Sequence, residues 1–278
     1  MTANALTTAL ITLLAATSGV LATDEPLPLR VMQTQRGTHY AMHTEKPVKP
    51  APTLFIIGGS IDSIVTNKSR YFTLAGDTLT RSGWIYVVLD PACEGYQIKP
   101  GDPSSLGGWA VHCKQGTDYM KPYVEHCRDV LDHLIATGFT DPQRIAVQGI
   151  SRGGFCALHF AAAEPRIKAV IGIAPVTNPL ALQEFAGVTP AQVAQVCLDQ
   201  HLDKLAGRAV WMSIGNTDER VSTDDCISFA RRLVATTRKQ RPELTLVPVH
   251  LTIGTSLGHR APDDAYPAAA AFLLRLMP

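Results

Sequence analysis

The sequence predicts an α/β fold, a parallel sheet covered by helices on both faces. Three observations carry that reading. Apolar runs rich in Val and Ile alternate with helical patterns from residue 53 to the C-terminus. Each run is apolar nearly end to end, as strands buried on both faces must be. The 278 residues, 46% hydrophobic and 18% charged, suffice for one sizeable core, so a single domain is expected.

Taken in order, the first 22 residues, MTANALTTALITLLAATSGVLA, carry no charge and run apolar from Ala5 to Leu14. They then turn small, with Val20 and Ala22 at the spacing a signal peptidase accepts. The apolar core is short and Thr-rich for a membrane span. The expectation is a signal peptide cut near Ala22, leaving a secreted or periplasmic domain over 23–278 with no stable membrane association. LPLRVMQT and HYAMHTE read as an opening hairpin and KPVKPAP as a connector. TLFII, 53–57, is the first buried strand and ends at Gly58-Gly59-Ser60. A helical pattern runs from Asn67 to Ser82 and stops at Gly83, before a second buried strand in WIYVVLD. Residues 91–116 read as one long loop, a length that places it beside a functional surface. A helix over 117–137 closes at Gly138, followed by strand 144–150, helix 152–163 and strand 168–176. Residues 177–207, helical between prolines, interrupt the alternation and form a small cap-like insertion. Strand 208–214, helix 223–240, strand 244–251 and helix 263–277 finish the chain.

A net charge of +1, with acids and bases interspersed, gives no field to gather phosphates, so nucleic acid is excluded as a partner. Six cysteines, an even number, fit an oxidising compartment. Cys93 and Cys113 share the Gly/Pro-rich loop and are expected to form a disulfide, whereas Cys156 reads as a small buried hydrophobe. No Cys/His cluster has zinc spacing, so no metal is expected. His39 and His43 read as surface residues.

Residues 144–163, RIAVQGISRGGFCALHFAAA, set a strand against a small-residue helix and wedge one serine between glycines where they meet. Ligands of such sheets bind beyond the carboxyl ends of the strands, so the residues following each strand are where chemistry belongs. Gly149-Ile150-Ser151-Arg152-Gly153 is a G-x-S-x-G placed strand-turn-helix, the context that marks a nucleophile elbow. The five letters arise by chance in a chain this long roughly one time in ten, so the placement carries the inference. A turn this sharp leaves no room for Cβ atoms beside the serine.

A serine hydroxyl is a weak nucleophile until a base takes its proton, and the base needs a third group to orient it. Asp218, in GNTDERVST, follows strand 208–214 and is the candidate acid. Its rivals are Glu219 and the pair Asp224 and Asp225, which suit the start of the next helix. His259, in TIGTSLGHRAP, follows the last strand and is the candidate base. His250 lies inside that strand, and His126 and His133 line a wet helix face. Backbone amides must also meet the charge that develops on a carbonyl oxygen. Arg152 is one candidate oxyanion donor; the turn after 53–57 supplies the other, where spacing places Gly59 and Ser60 equally and Ser60 is taken. The Arg152 guanidinium reads as half of a structural ion pair, and Trp109, Phe185 and Tyr96 as loop anchors.

The order Ser151, Asp218, His259 is the Ser-acid-His order of α/β-hydrolases. From about Leu54 onward the chain resembles that superfamily, with GISRGGF and SIGNTDERV most similar to its dienelactone-hydrolase and prolyl-oligopeptidase-like branch. The resemblance implies the α/β-hydrolase fold, a three-layer α/β/α sandwich with a mostly parallel, roughly eight-stranded sheet. It also implies a Ser-Asp-His triad that needs no cofactor and acts on a small-molecule ester or peptide. IIGGS replaces the usual His-Gly after the third strand, and no β-propeller precedes the hydrolase-like part, which argues against a gated oligopeptidase. The expected activity is carboxylic ester hydrolysis through an acyl-serine; the alternatives are a small aminopeptidase or amidase on the same triad and a non-catalytic binding protein.

Overall fold

The computed structural model describes residues 28–43, 45–66, 70–98 and 100–278. The expected signal, 1–22, lies outside the described residues. A hairpin opens the fold, β1 (Arg30–Gln33) pairing antiparallel with β2 (His39–Met42). β3 (Ala51–Ile57), buried throughout, leads to α1 (Ile61–Thr66), α2 (Leu74–Thr80) and β4 (Ile85–Leu89). Then come α3 (Ser105–Lys114), α4 (Met120–Ala136), β5 (Thr140–Ile150), α5 (Arg152–Ala163) and β6 (Ile167–Ile173). Residues 177–207 form a string of short turns that includes α6 (Pro190–Val193) and α7 (Leu202–Leu205). β7 (Ala209–Gly215), α8 (Thr223–Gln240), β8 (Val249–Gly254) and α9 (Ala265–Leu276) complete it.

The eight strands make one sheet in the order β1-β2-β4-β3-β5-β6-β7-β8, parallel from β4 to β8. Side chains alternate across it. Phe55 and Ile57 of β3 join Trp109, Phe155, Phe160 and Phe229 on the face covered by α3, α4, α5 and α8. Leu54 and Ile56 join Leu79 of α2 and Leu273 of α9 on the other. Burying each such side chain stabilises by about 1.5–3 kcal/mol, which is why β3, β4, β6 and β7 are mainly apolar. β4 and β5 flank β3 on opposite sides, so the winding reverses there. A crevice opens at such a reversal, beyond the carboxyl ends of β3 and β5.

Four expectations need correction. Of the helix expected over 67–82, residues 67–69 lie outside the described residues and 70–82 hold only α2, preceded by a turn: Arg70 takes a φ of 55° and its guanidinium binds Asp77, which also accepts from the Tyr86 hydroxyl at 2.7 Å. The expected loop 91–116 contains α3. Its Gly107-Gly108 pair looks non-helical, yet a Cβ at Gly108 would stand 2.4 Å from the Pro103 carbonyl oxygen, so close packing requires the glycine. The last strand starts at Val249 rather than 244, because Pro248 has no N–H to give the ladder and contributes only its carbonyl, to the Val210 amide at 2.8 Å. Cys93 and Cys113 are free thiols. Burial pushes their pKa values up to about 12 and about 11, so both stay protonated.

His159 of α5 is fully enclosed, its Nε2–H donating to the Val196 carbonyl at 3.0 Å. Burial, with neighbouring His201 adding to it, lowers its pKa from 6.5 to about 3. The unfolded chain therefore gains a proton below pH 6.5 that the folded chain refuses. Stability contributed by the neutral imidazole is present above pH 6.5 and is lost as the pH falls towards 3. Melting temperature measured against pH should fall over that window, and less steeply in a His159→Gln variant, which keeps an N–H donor for Val196.

Candidate active site

β5 hands the chain to α5 through Ser151, whose backbone sits at φ 57°, ψ −122°. Three bonds hold this strained residue: its N–H donates to the Ile173 carbonyl at 2.9 Å, and its own carbonyl accepts from Gly154 at 2.9 Å and Val176 at 3.0 Å. The glycines are steric necessities. A Cβ on Gly149 would stand 2.0 Å from the Gly153 carbonyl oxygen, and one on Gly153 would stand 2.1 Å from that of Ile57. The first turn of α5 thus lies directly on the end of β3.

The structure brings Ser151, His259 and Asp218 together. His259 Nε2 is 2.8 Å from Ser151 Oγ, and Nδ1 is 2.8 Å from Asp218 Oδ2. A carboxylate only accepts, so Nδ1 carries the proton and Nε2 is left to accept from the serine hydroxyl. The Asp218 side chain is 0% exposed, and its second oxygen accepts from the amides of Arg220 at 3.0 Å and Val221 at 3.2 Å. Every oxygen of this buried acid therefore has a partner, and its direction is fixed. Thr223 locks the loop, donating to the Gly215 carbonyl at 2.6 Å while accepting from the Asp218 amide at 3.2 Å. The rival Glu219 is exposed, and Asp224 and Asp225 lie in the first turn of α8, capped by the Ser222 side chain. His259 stands in an open loop after β8, tied to the Asp218 loop by Thr217 Oγ1 donating to the Ser256 carbonyl at 3.2 Å. His250 lies instead in β8, with its ring against Phe272.

Ser60 follows β3 and caps α1, its Oγ accepting from the Ser63 amide at 3.3 Å. Among the described residues none accepts from the Ser60 or Arg152 amide. The Arg152 guanidinium pairs with Glu94, Nη2 to Oε2 at 2.8 Å and Nε to Oε1. Burial alone lowers the guanidinium pKa, but Glu94 outweighs it and the net change is upward. Asp90, the first residue after β4, is a second buried carboxylate: it accepts from the Ile61 amide at 2.7 Å and the Tyr96 amide at 2.9 Å. Burial raises its pKa to about 6 against the pull of those two donors. Sequence reasoning named neither acid, although Asp90 occupies the position, first after a parallel strand, that should have marked it. Trp109 and Phe185 are buried, and Trp109 Nε1 donates to the Ala92 carbonyl at 2.8 Å, anchoring the loop. Tyr96 is exposed, and its hydroxyl donates to Asp62 at 2.8 Å. No cluster of three or more His, Cys, Asp or Glu among the described residues could hold a metal ion.

An open, mostly parallel sheet with helices on both faces and a serine at a strand-helix elbow defines a serine hydrolase of the α/β type. The chain belongs to the prolyl oligopeptidase family, which it matches over residues 108–272. It is 27% identical over 162 residues to the hydrolyase poxO of Penicillium oxalicum; the match takes in 58% of this chain but only 35%, about a third, of that protein's length. Its fold is similar to acetyl xylan esterase 1 of a Thermoanaerobacterium species, with a TM-score of 0.62 and 14% identity over 92% of this chain and 90% of that one. It is similar too to dipeptidyl peptidase 4 of Porphyromonas gingivalis, with a TM-score of 0.62 and 15% identity over 90% of this chain and 35% of that one.

The packing of α5 on β3 gives a direct test. Gly153→Ala forces a methyl group against the Ile57 carbonyl, and should destabilise the protein by about 3 kcal/mol, measured by urea unfolding.

Proposed function

We propose that the protein hydrolyses carboxylic esters through an acyl-Ser151 intermediate. The observation that carries this reading is the His259 ring, which spans Ser151 and Asp218 with a 2.8 Å hydrogen bond on each side. As the Ser151 hydroxyl attacks the ester carbonyl, its proton passes to His259 Nε2. The carbonyl electron pair moves onto oxygen, where the Ser60 and Arg152 amides receive the charge. Collapse expels the alkoxide, which takes the proton back from Nε2. Water then attacks the acyl-enzyme with His259 again as base, and the carboxylic acid leaves. Asp218 remains a carboxylate, holding the tautomer and balancing the imidazolium.

The fold similarity to acetyl xylan esterase 1, which runs nearly the full length of both chains, supports an ester substrate. The family and the dipeptidyl peptidase 4 likeness support an amide-cleaving alternative on the same three residues. A fluorophosphonate probe should label the wild type at Ser151 and leave Ser151→Ala unlabelled. In kinetics, p-nitrophenyl esters should be turned over at least a hundredfold faster than aminoacyl nitroanilides; the reverse ranking would move the assignment to an amidase. No labelling of folded wild type would sink both.

Asp218→Asn cannot fix the tautomer and should lower kcat by about 10⁴, with melting temperature nearly unchanged.

A further inference from the structure

The loop after β4 sends one carboxylate to the turn after β3 and the other to the first turn of α5. Asp90 takes the Ile61 amide at 2.7 Å, immediately after Ser60, and Glu94 takes the guanidinium of Arg152. We propose that Asp90 and Glu94 are positioning residues for the oxyanion site, Asp90 aiming the Ser60 amide through Ile61 and Glu94 aiming the Arg152 amide through its side chain. The inference rests on the esterase reading.

Ser60 is held by α1, its carbonyl accepting from the Ile64 amide at 3.0 Å and the Ser63 hydroxyl at 2.7 Å, and Asp90 adds a bond from the other side of the same peptide. The turn at 58–60 runs free of the sheet; on one side Gly58 lies so close to Phe72 that a Cβ would stand 2.4 Å from the ring. On the other side the Asp90 carboxylate takes the N–H of the peptide between Ser60 and Ile61. At the elbow, the Arg152–Glu94 pair ties the first turn of α5 to the loop after β4.

The loop itself is braced for this task. Gly95 has a φ of 55° and sits so close to Asp90 that a Cβ would be 2.0 Å from Oδ1. Cys93 and Ser105, both L residues, adopt φ values of 60° and 54°. They are tied to each other by the Ser105 amide, which donates to the Cys93 carbonyl at 2.7 Å. The Ser105 hydroxyl donates to Glu94 Oε1 at 3.0 Å. Strained backbone of this kind persists where the surroundings over-determine it, and it clusters at functional sites. Burial also sets the two acids apart from ordinary surface pairs: Asp90 is 2% and Glu94 8% exposed.

Glu94→Gln, Asp90→Asn and Ser105→Ala test the proposal. For each, kcat and KM on p-nitrophenyl acetate are measured beside the inhibition constant of phenylboronic acid, whose tetrahedral serine adduct places an oxygen on the same amides. Removing an oxyanion donor costs about 10² to 10³ in rate, and displacing one costs less. Glu94→Gln and Asp90→Asn should each lower kcat about tenfold or more with KM within twofold. Boronate affinity should weaken by the same factor as kcat/KM. Ser105→Ala, which removes one of Glu94's bonds, should cost about threefold in both. Folded variants with kcat and boronate affinity within twofold of wild type would overturn the inference. So would a rise in KM at constant kcat, which would assign the loop to ground-state binding, or a loss of kcat with boronate affinity intact. If the two acid variants do not fold, an unaffected Ser105→Ala overturns it. A wild type that neither hydrolyses the ester nor binds the boronate removes the esterase reading itself, and the inference with it.

Discussion

The contact on which the rest depends is between the first turn of α5 and the end of β3. Two glycines let that turn come so close that no side chain fits between them, and Ser151 is pushed into a left-handed conformation to make the corner. Its strain, of about 1–3 kcal/mol, is offset by the bonds that Ser151 makes to β6 and to the segment after it. Nothing in α5 alone would choose that geometry. The sheet imposes it, because β5 must pair with β3 on one side and β6 on the other before the helix can fold back.

Once the corner is set, the direction of each polar group follows from what it can donate or accept. Asp218 is enclosed, has both oxygens engaged, and so can hold His259 in only one tautomer. Asp90 and Glu94 are buried as well, but each satisfies backbone or guanidinium donors rather than an imidazole. Three enclosed carboxylates at one end of a sheet would repel one another if they were unpaired. Distributing them over separate donors leaves none of the three without a hydrogen-bond partner.

Segments whose structure depends on their own periodicity were legible. The helices at 152–163 and 223–240 lie where their apolar spacing places them, the second also capped by Ser222, since a helix is specified by neighbours three and four residues away. The misread segments are those decided by distant partners. Arg70 breaks a helical pattern because Asp77 and Tyr86 hold it, and α3 forms across a Gly-Gly pair because Pro103 presses on Gly108. The cysteines of the same region look paired by proximity in sequence, but the fold leaves both thiols free.

The sequence by itself determined the alternation of strands and helices, and with it the places where Ser151, Asp218 and His259 fall, each just past a parallel strand. The physical reason is local: a strand buried on both faces must be apolar, so polar chemistry is deferred to its carboxyl end. Only the tertiary structure decided which carboxylate meets which donor. Glu94 finds Arg152 across 58 positions and Asp90 finds Ile61 across 29, because β4, β3 and β5 lie side by side. Such pairings are set by strand order, and no spacing along one chain encodes it.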